Sequence, residues 1–259
     1  MKLLKTESEI AILEESGAIL AHMLHALEQR TQQGVNLLDL DAFAQSFIKE
    51  HHAQPAFLGY QPEGARHPYP AALCTSLNET VVHGIPKDYT LKNGDVLKID
   101  AGVIYEGMYT DAAITVTIGP TSPTTRKLIA ATKQALIDGI AMAKQGNTIG
   151  DIGWAIEQRT KKSSFHVLRG LTGHGVGYEL HEDPVIFNFG KRSTGAPLVP
   201  GMVIAIEPML SVSCDEIIQN RDESYAAADG SMTAHFEHTI AITKRGTKIL
   251  TQVSSHHTH

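Results

Sequence analysis

Gly94-Asp95-Val96-Leu97-Lys98-Ile99-Asp100 returns in the second half of the chain as Gly201-Met202-Val203-Ile204-Ala205-Ile206-Glu207. Both read Gly-x-Val-x-x-Ile-acid, the pattern of a short apolar strand that stops at a carboxylate. A second related pair precedes them in the same order: Gln33-Gly34-Val35-Asn36-Leu37-Leu38-Asp39-Leu40 and Gln145-Gly146-Asn147-Thr148-Ile149-Gly150-Asp151-Ile152. In each, a long helix is expected to end at the glycine and a second helix to begin a residue or two later. One such echo is within the reach of chance. Two in the same order make duplication the better reading, so the chain is expected to form two α+β halves.

Hydrophobic periodicity fills in the halves. Apolar residues Ile12, Leu13, Ala18, Ile19, Leu20, Met23, Leu24 and Leu27 predict an amphipathic helix over about 8–30. Further helices are expected at about 38–51, 124–144 and 149–161, with Trp154 in the core. Strands are expected at 96–101, 113–118, 203–206 and 238–243. At 259 residues and 42% hydrophobic, the chain can bury a full core.

A net charge of −6 argues against general binding to nucleic acid or an anionic membrane. Cys74 and Cys214 suggest no disulfide framework and a reducing compartment. Glu7, Glu9, Glu14 and Glu15 interrupt any secretory h-region, and no stretch is expected to reach the ~20 apolar residues that cross a bilayer. The expected location is the cytoplasm. Three histidines at the very end, His256, His257 and His259, are read as part of a disordered tail over 251–259.

Side chains alternate along a strand, so Val96, Lys98 and Asp100 share one face, as do Val203, Ala205 and Glu207. Asp111 follows Asp100 into the next strand, and Glu237 follows Glu207 into its counterpart. Each half thus supplies two acids. Folding the halves together would converge four carboxylates, which cannot be buried as unpaired anions. Divalent cations resolve the repulsion. The candidate imidazole is His174, in Thr172-Gly173-His174-Gly175-Val176-Gly177, where flanking glycines allow close packing. An oxygen-rich set with one imidazole suits Mn, Fe, Co or Zn.

Taken in order, Asn78-Glu79-Thr80-Val81-Val82-His83-Gly84-Ile85-Pro86, the 94–102 stretch, Gly173 to Pro184, Gly201 to Met209, and Phe236-Glu237-His238-Thr239 resemble the type I methionine aminopeptidases. The resemblance runs from about Thr6 to Thr251. It implies the pita-bread fold, an α+β domain of pseudo-twofold halves at about 1–120 and 121–250, forming one catalytic domain over 1–259. It also implies two divalent metal ions held by Asp100, Asp111, His174, Glu207 and Glu237, activating a water for peptide hydrolysis. Asp100 would chelate one ion, Asp111 and Glu237 bridge both, and His174 and Glu207 complete the other. Glu207 is the implied proton acceptor, His181 the group that meets the carbonyl oxygen, and His83 the one beside the scissile amide. Cys74 and Tyr69 belong to the implied substrate pocket with His83 and His181. The implied substrates are nascent polypeptide N-termini bearing the initiator methionine, with a ribosome contact left open.

Several positions depart from that pattern. Tyr109-Thr110-Asp111-Ala112 replaces the usual His-Gly-Asp-Thr, and Lys98 replaces asparagine, which places a cation near the acids unless it turns away. Leu180 and Arg66 stand where aromatics are usual. Gly177-Tyr178-Glu179-Leu180-His181-Glu182-Asp183-Pro184 leans toward the X-Pro peptidases of the same fold, so X-Pro cleavage is the second reading. A non-catalytic binding protein of that fold is the third.

Overall fold

The structure is a computed structural model that describes residues 4–253, so the tail histidines lie outside the described residues. The chain opens with α1 (Glu7–Arg30) and α2 (Leu37–Glu50), followed by β1 (Gln54–Pro55), β2 (Leu73–Leu77) and β3 (Thr80–Val82). A long hairpin, β4 (Val96–Tyr105) and β5 (Met108–Thr117), leads to α3 (Pro123–Met142) and α4 (Ile149–Ser163). Then come β6 (His166–Val167), β7 (Thr172–Gly175), β8 (Glu182–Phe187), β9 (Val203–Ile206) and β10 (Met209–Ser211). The chain continues through β11 (Ile217–Gln219), β12 (Tyr225–Ala227), β13 (Thr233–His235), β14 (His238–Thr243) and β15 (Gly246–Ile249).

Polar caps start the helices where the sequence leaves its strands and turns. Thr6 and Glu9 form a reciprocal capping box at α1, Asn36 accepts from Leu38 N at α2, and Ser122 accepts from Thr125 N just before Pro123 at α3. Both long helices stop short of the repeated glycines. Here α1 ends at Arg30 and α3 at Met142, while Gly34 and Gly146 sit in the following turn at φ +88 and +94. The strands of the first half also outrun the expectation, because β4 and β5 pair along their whole length from Val96↔Thr117 to Tyr105↔Met108. Trp154 is half-buried on the outer face of α4, with Arg192 5.0 Å above its ring, and is not a core residue.

Each half has its own apolar core. In the first, Leu20, Leu24 and Leu27 of α1 and Leu40 and Ile48 of α2 pack against Leu97, Ile99 and Val103 of β4. In the second, Ala135 and Leu136 of α3 and Ile152 and Ile156 of α4 pack against Ile204 and Ile206 of β9 and Ile240 and Ile242 of β14. Contrary to the sequence reading, α1 is long and apolar enough to cross a membrane. Its buried residues lie in the cores with β4 and β5, which is the use of a core helix.

Antiparallel strands β15-β14-β9-β7-β8 form the sheet of the second half. In the first, β5 flanks one edge of β4, while β2 and β1 follow one another along the other, at 97–101 and 103–104. The halves are joined where β5 meets the 235–239 segment. Glu237 N donates to Ala113 O (3.0 Å), Thr115 Oγ1 accepts from His235 N (3.0 Å), and Thr239 Oγ1 accepts from Asp111 N (2.9 Å). Three acid-bearing segments therefore run side by side at the seam.

Candidate active site and metal centre

Asp100 and Asp111 lie within β4 and β5, on opposite arms of one hairpin, whereas Glu207 follows the last residue of β9 and Glu237 precedes the first of β14. The His238↔Ile206 pairing places Glu237 and Glu207 across from one another just past the strand ends. His174 lies on β7, between β8 and β9. Only glycine fits beside it: a Cβ at Gly173 would lie 2.3 Å from Ala205 O, and one at Gly175 2.1 Å from Asp183 O.

These residues floor a cavity of about 1050 Å³. Its lining includes Asp100, Asp111, His174, Glu207 and Glu237 with His83, His181, Cys74 and Tyr69 around them, so every candidate site residue faces one space. Phe57 and Leu180 pack with Cys74 to form an apolar wall. Arg66 stands at the mouth with its main-chain N–H on Glu223 Oε1 (3.1 Å).

Burial by protein alone works against four charges. It pushes the carboxyls of Asp100 and Glu207 up to about 7 and those of Asp111 and Glu237 well above the usual range. For Asp111 and Glu237 the neighbouring carboxylates add to the rise. Asp100 Oδ1, Asp111 Oδ1 and Glu237 Oε1 are buried without any hydrogen-bond partner. Orphaned acceptors of one kind crowded together ask for a cation. His174 is prepared in the same sense. Its Nδ1 faces the Gly175 carbonyl at 2.9 Å, so Nδ1 carries the proton and Nε2 offers its lone pair toward Glu207 Oε1 (3.6 Å) and Asp111 Oδ2 (3.9 Å). Ligand atoms of Asp111, His174 and Glu237 all lie within 4.8 Å of one another, and those of Glu207, His235 and Glu237 form a second such group. The donor set thus fits divalent metal. Asp100 belongs to neither triad but is within hydrogen-bonding reach of Asp111.

His83 and His181 open onto the cavity from its walls. Surrounding protein lowers the pKa of His83 to about 4 and of His181 to about 3, the latter aided by His174 and His83, so both are neutral at pH 7. His83 holds φ +59, a backbone region unusual for a non-glycine residue and often kept at functional positions. Lys98 does turn away from the acids. Its ammonium, fully buried, donates to Asn78 O at 2.7 Å, and burial pulls its pKa well below the lysine range.

Three neighbours were not legible in advance. Tyr60 Oη meets His181 Nδ1 at 2.7 Å. Lys5 forms a buried ion pair with Glu182 at 2.5 Å, and Glu182 also accepts from Tyr178 N and Glu179 N, bracing the turn that carries His181. His235, fully buried, lies 3.5 Å from Glu207 Oε2. Of these only His235 had a local signal, its position two residues before Glu237.

A family model described as metallopeptidase family M24 matches residues 11–244. The methionine aminopeptidase of Aquifex aeolicus is 43% identical over 256 residues, covering 96% of this chain and 98% of that protein. Methionine aminopeptidase 1 of Bacillus subtilis is 40% identical over 254 residues, covering 98% and 100%. The crystal structure of the Thermotoga maritima methionine aminopeptidase superposes with a TM-score of 0.92 at 38% identity, covering 97% of this chain and all of that one. Prolidase from Pyrococcus furiosus superposes at 0.77 with 23% identity over 66% of its length, a likeness of fold alone. With its buried acid and imidazole cluster, its pita-bread architecture and this likeness along nearly its whole length, the chain belongs to metallopeptidase family M24, among the methionine aminopeptidases.

Proposed function

We propose that this protein removes the initiator methionine from nascent chains, acting as one catalytic domain whose two halves, about 1–120 and 121–250, share the site at their seam. The observation that carries the reading is the set of buried, orphaned carboxylate oxygens with His174 at the floor of a cavity walled by apolar side chains. Asp100, Asp111, His174, Glu207 and Glu237 would hold two divalent ions, drawn from Co, Mn, Fe or Zn. Bound there, such ions let the carboxylates ionise together and bring the pKa of water toward neutrality.

The chain's own groups do the rest. Glu207, at the cavity floor beside His174, is placed to accept a proton at its Oε atoms. Tyr60 Oη and His181 Nδ1 lie 2.7 Å apart; in the tautomer in which the phenol donates, the His181 proton is on Nε2 and available to the carbonyl oxygen as it gains charge. Neutral His83 lines the same cavity, by Tyr225, as a partner for the leaving amide. Phe57, Tyr69, Cys74 and Leu180 give an unbranched, polarizable methionine side chain a dry wall. Cys74 and Cys214 are both free thiols, which suits work in the cytoplasm.

The test is a panel of Met-Ala-Ser, Met-Lys and Ala-Pro peptides with Mn, Co, Fe or Zn. Methionine release from the first with no cut of Ala-Pro is expected. Cleavage of Ala-Pro alone would transfer the protein to the X-Pro reading, and an intact fold with no turnover on any metal would make it a binding protein.

A further inference from the structure

The ligand set implied by the family resemblance contains one imidazole. The structure holds a second in an equivalent relation to the acids. His174 Nε2 lies 3.6 and 3.9 Å from carboxylate oxygens of Glu207 and Asp111, and His235 Nε2 lies 3.5 and 3.9 Å from Glu207 Oε2 and Glu237 Oε2. These separations are too long for good hydrogen bonds. They are near the roughly 3.4 Å between two donors that each sit about 2.0–2.1 Å from a shared tetrahedral ion.

His235 is also held as a ligand would be. Its main chain is clamped by Thr115, whose hydroxyl accepts from His235 N at 3.0 Å and donates to His235 O at 2.6 Å. The residue is fully buried, yet neither Nδ1 nor Nε2 makes a hydrogen bond. An imidazole buried with both nitrogens idle loses free energy unless something not made of protein meets one of them. Glu207 and Glu237 stand within reach on that side, and Glu237 is common to the two groups of ligand atoms. We propose that His235 is a direct metal ligand, so that the metal pair is held by two imidazoles, His174 and His235, with Glu207 between them. This rests on the metal reading of the site. A nitrogen donor at both positions favours borderline ions such as Fe, Co and Zn over Mg or Ca.

The test uses the whole metal-free protein titrated with Co(II). It is followed by visible absorption for affinity and by proton NMR for paramagnetically shifted imidazole N–H signals, one per ligated histidine. Two such signals are expected at saturation in the wild type. His235→Gln should lose one of them and bind its second cobalt at least ~10-fold more weakly, the least that a group supporting a metal ligand is worth. His174→Gln should lose the other. A wild type that binds two cobalt ions and shows one signal overturns the role of His235 while leaving the metal centre standing. That role is overturned as well if His235→Gln keeps both signals and the wild-type affinity. A wild type that takes up no cobalt removes the metal centre itself and this inference with it. Circular dichroism checks that the variants fold, and should His235→Gln fail to fold, the wild-type signal count decides.

Discussion

Thr239 grips Asp111 from both sides: its hydroxyl accepts the Asp111 N–H at 2.9 Å and donates to the Asp111 carbonyl at 2.7 Å. One side chain from the second half thereby saturates the outer edge of β5 where an acid of the first half must stand. Thr239→Val keeps the shape and removes both bonds. It is expected to cost about 1–3 kcal/mol, the penalty for buried backbone groups left unpaired, and to weaken metal uptake about 10–100-fold through misplacement of Asp111. Urea unfolding of the metal-free variant and cobalt titration measure the two. Unchanged values in both would show that the seam does not depend on this contact.

Lys5 and Glu182 are each 1% exposed in their side chains and 2.5 Å apart. Removing one partner strands the other, so Lys5→Met is expected to destabilise by about 3–5 kcal/mol. Adding Glu182→Gln should recover part of that loss, because no buried charge is then left alone. A double-mutant cycle read by thermal or urea unfolding checks it, and strictly additive losses would mean that the pair is not coupled.

Tyr60→Phe removes the hydroxyl at His181 Nδ1. The imidazole then loses the partner that selects its tautomer, and kcat is expected to fall by up to about tenfold, the value of one hydrogen bond, with KM little changed. Steady-state kinetics on Met-Ala-Ser separate this from a binding defect, which would appear in KM alone.

Stability of the metal-free protein should depend on pH in a way set by two opposing groups. The raised carboxyls of Asp100, Asp111, Glu207 and Glu237 contribute stability that is complete below the unfolded range at about 4 and is lost as pH rises through about 7 and beyond. The lowered imidazoles of His83, His181 and His235 contribute stability present above about 6.5 and lost as pH falls toward 4. Between these limits the two groups offset each other. Above about pH 6.5 the four raised carboxyls outnumber the one buried group of the site's surroundings that works the other way, Lys98 with its lowered pKa, so the melting temperature of chelator-treated protein should fall there, and added Co or Mn should restore it by more at higher pH. Melting curves with and without metal decide the matter; a metal-free protein that gains stability from pH 6.5 to 8 would contradict the proposed crowding of anions.

Much of the architecture could be read from local pattern. The helices at 7–30, 37–50, 123–142 and 149–163 follow from apolar spacing and polar caps, and β9 and β14 have the expected bounds. Where the reading slipped, the cause was the turn or the partner. Gly34 and Gly146 act in the turns after the helices, and β4 and β5 are lengthened by pairing with each other, which apolar content in one strand does not report. Trp154 looked like core because helical spacing does not say which face meets a neighbour.

The sequence by itself determined a matched pair of acids, Asp100 and Glu207, since a duplicated strand ending in a carboxylate is a pattern written in the chain. Only the tertiary structure decided which side chains those groups would meet. The Asp111–Thr239, Tyr60–His181 and Lys5–Glu182 contacts join residues 128, 121 and 177 positions apart. The direction of Lys98 away from the acids and the idle ring of His235 are likewise set by packing at the seam. Periodicity records which face of an element is apolar; it carries no distance between elements, and the chemistry of this site is a matter of such distances.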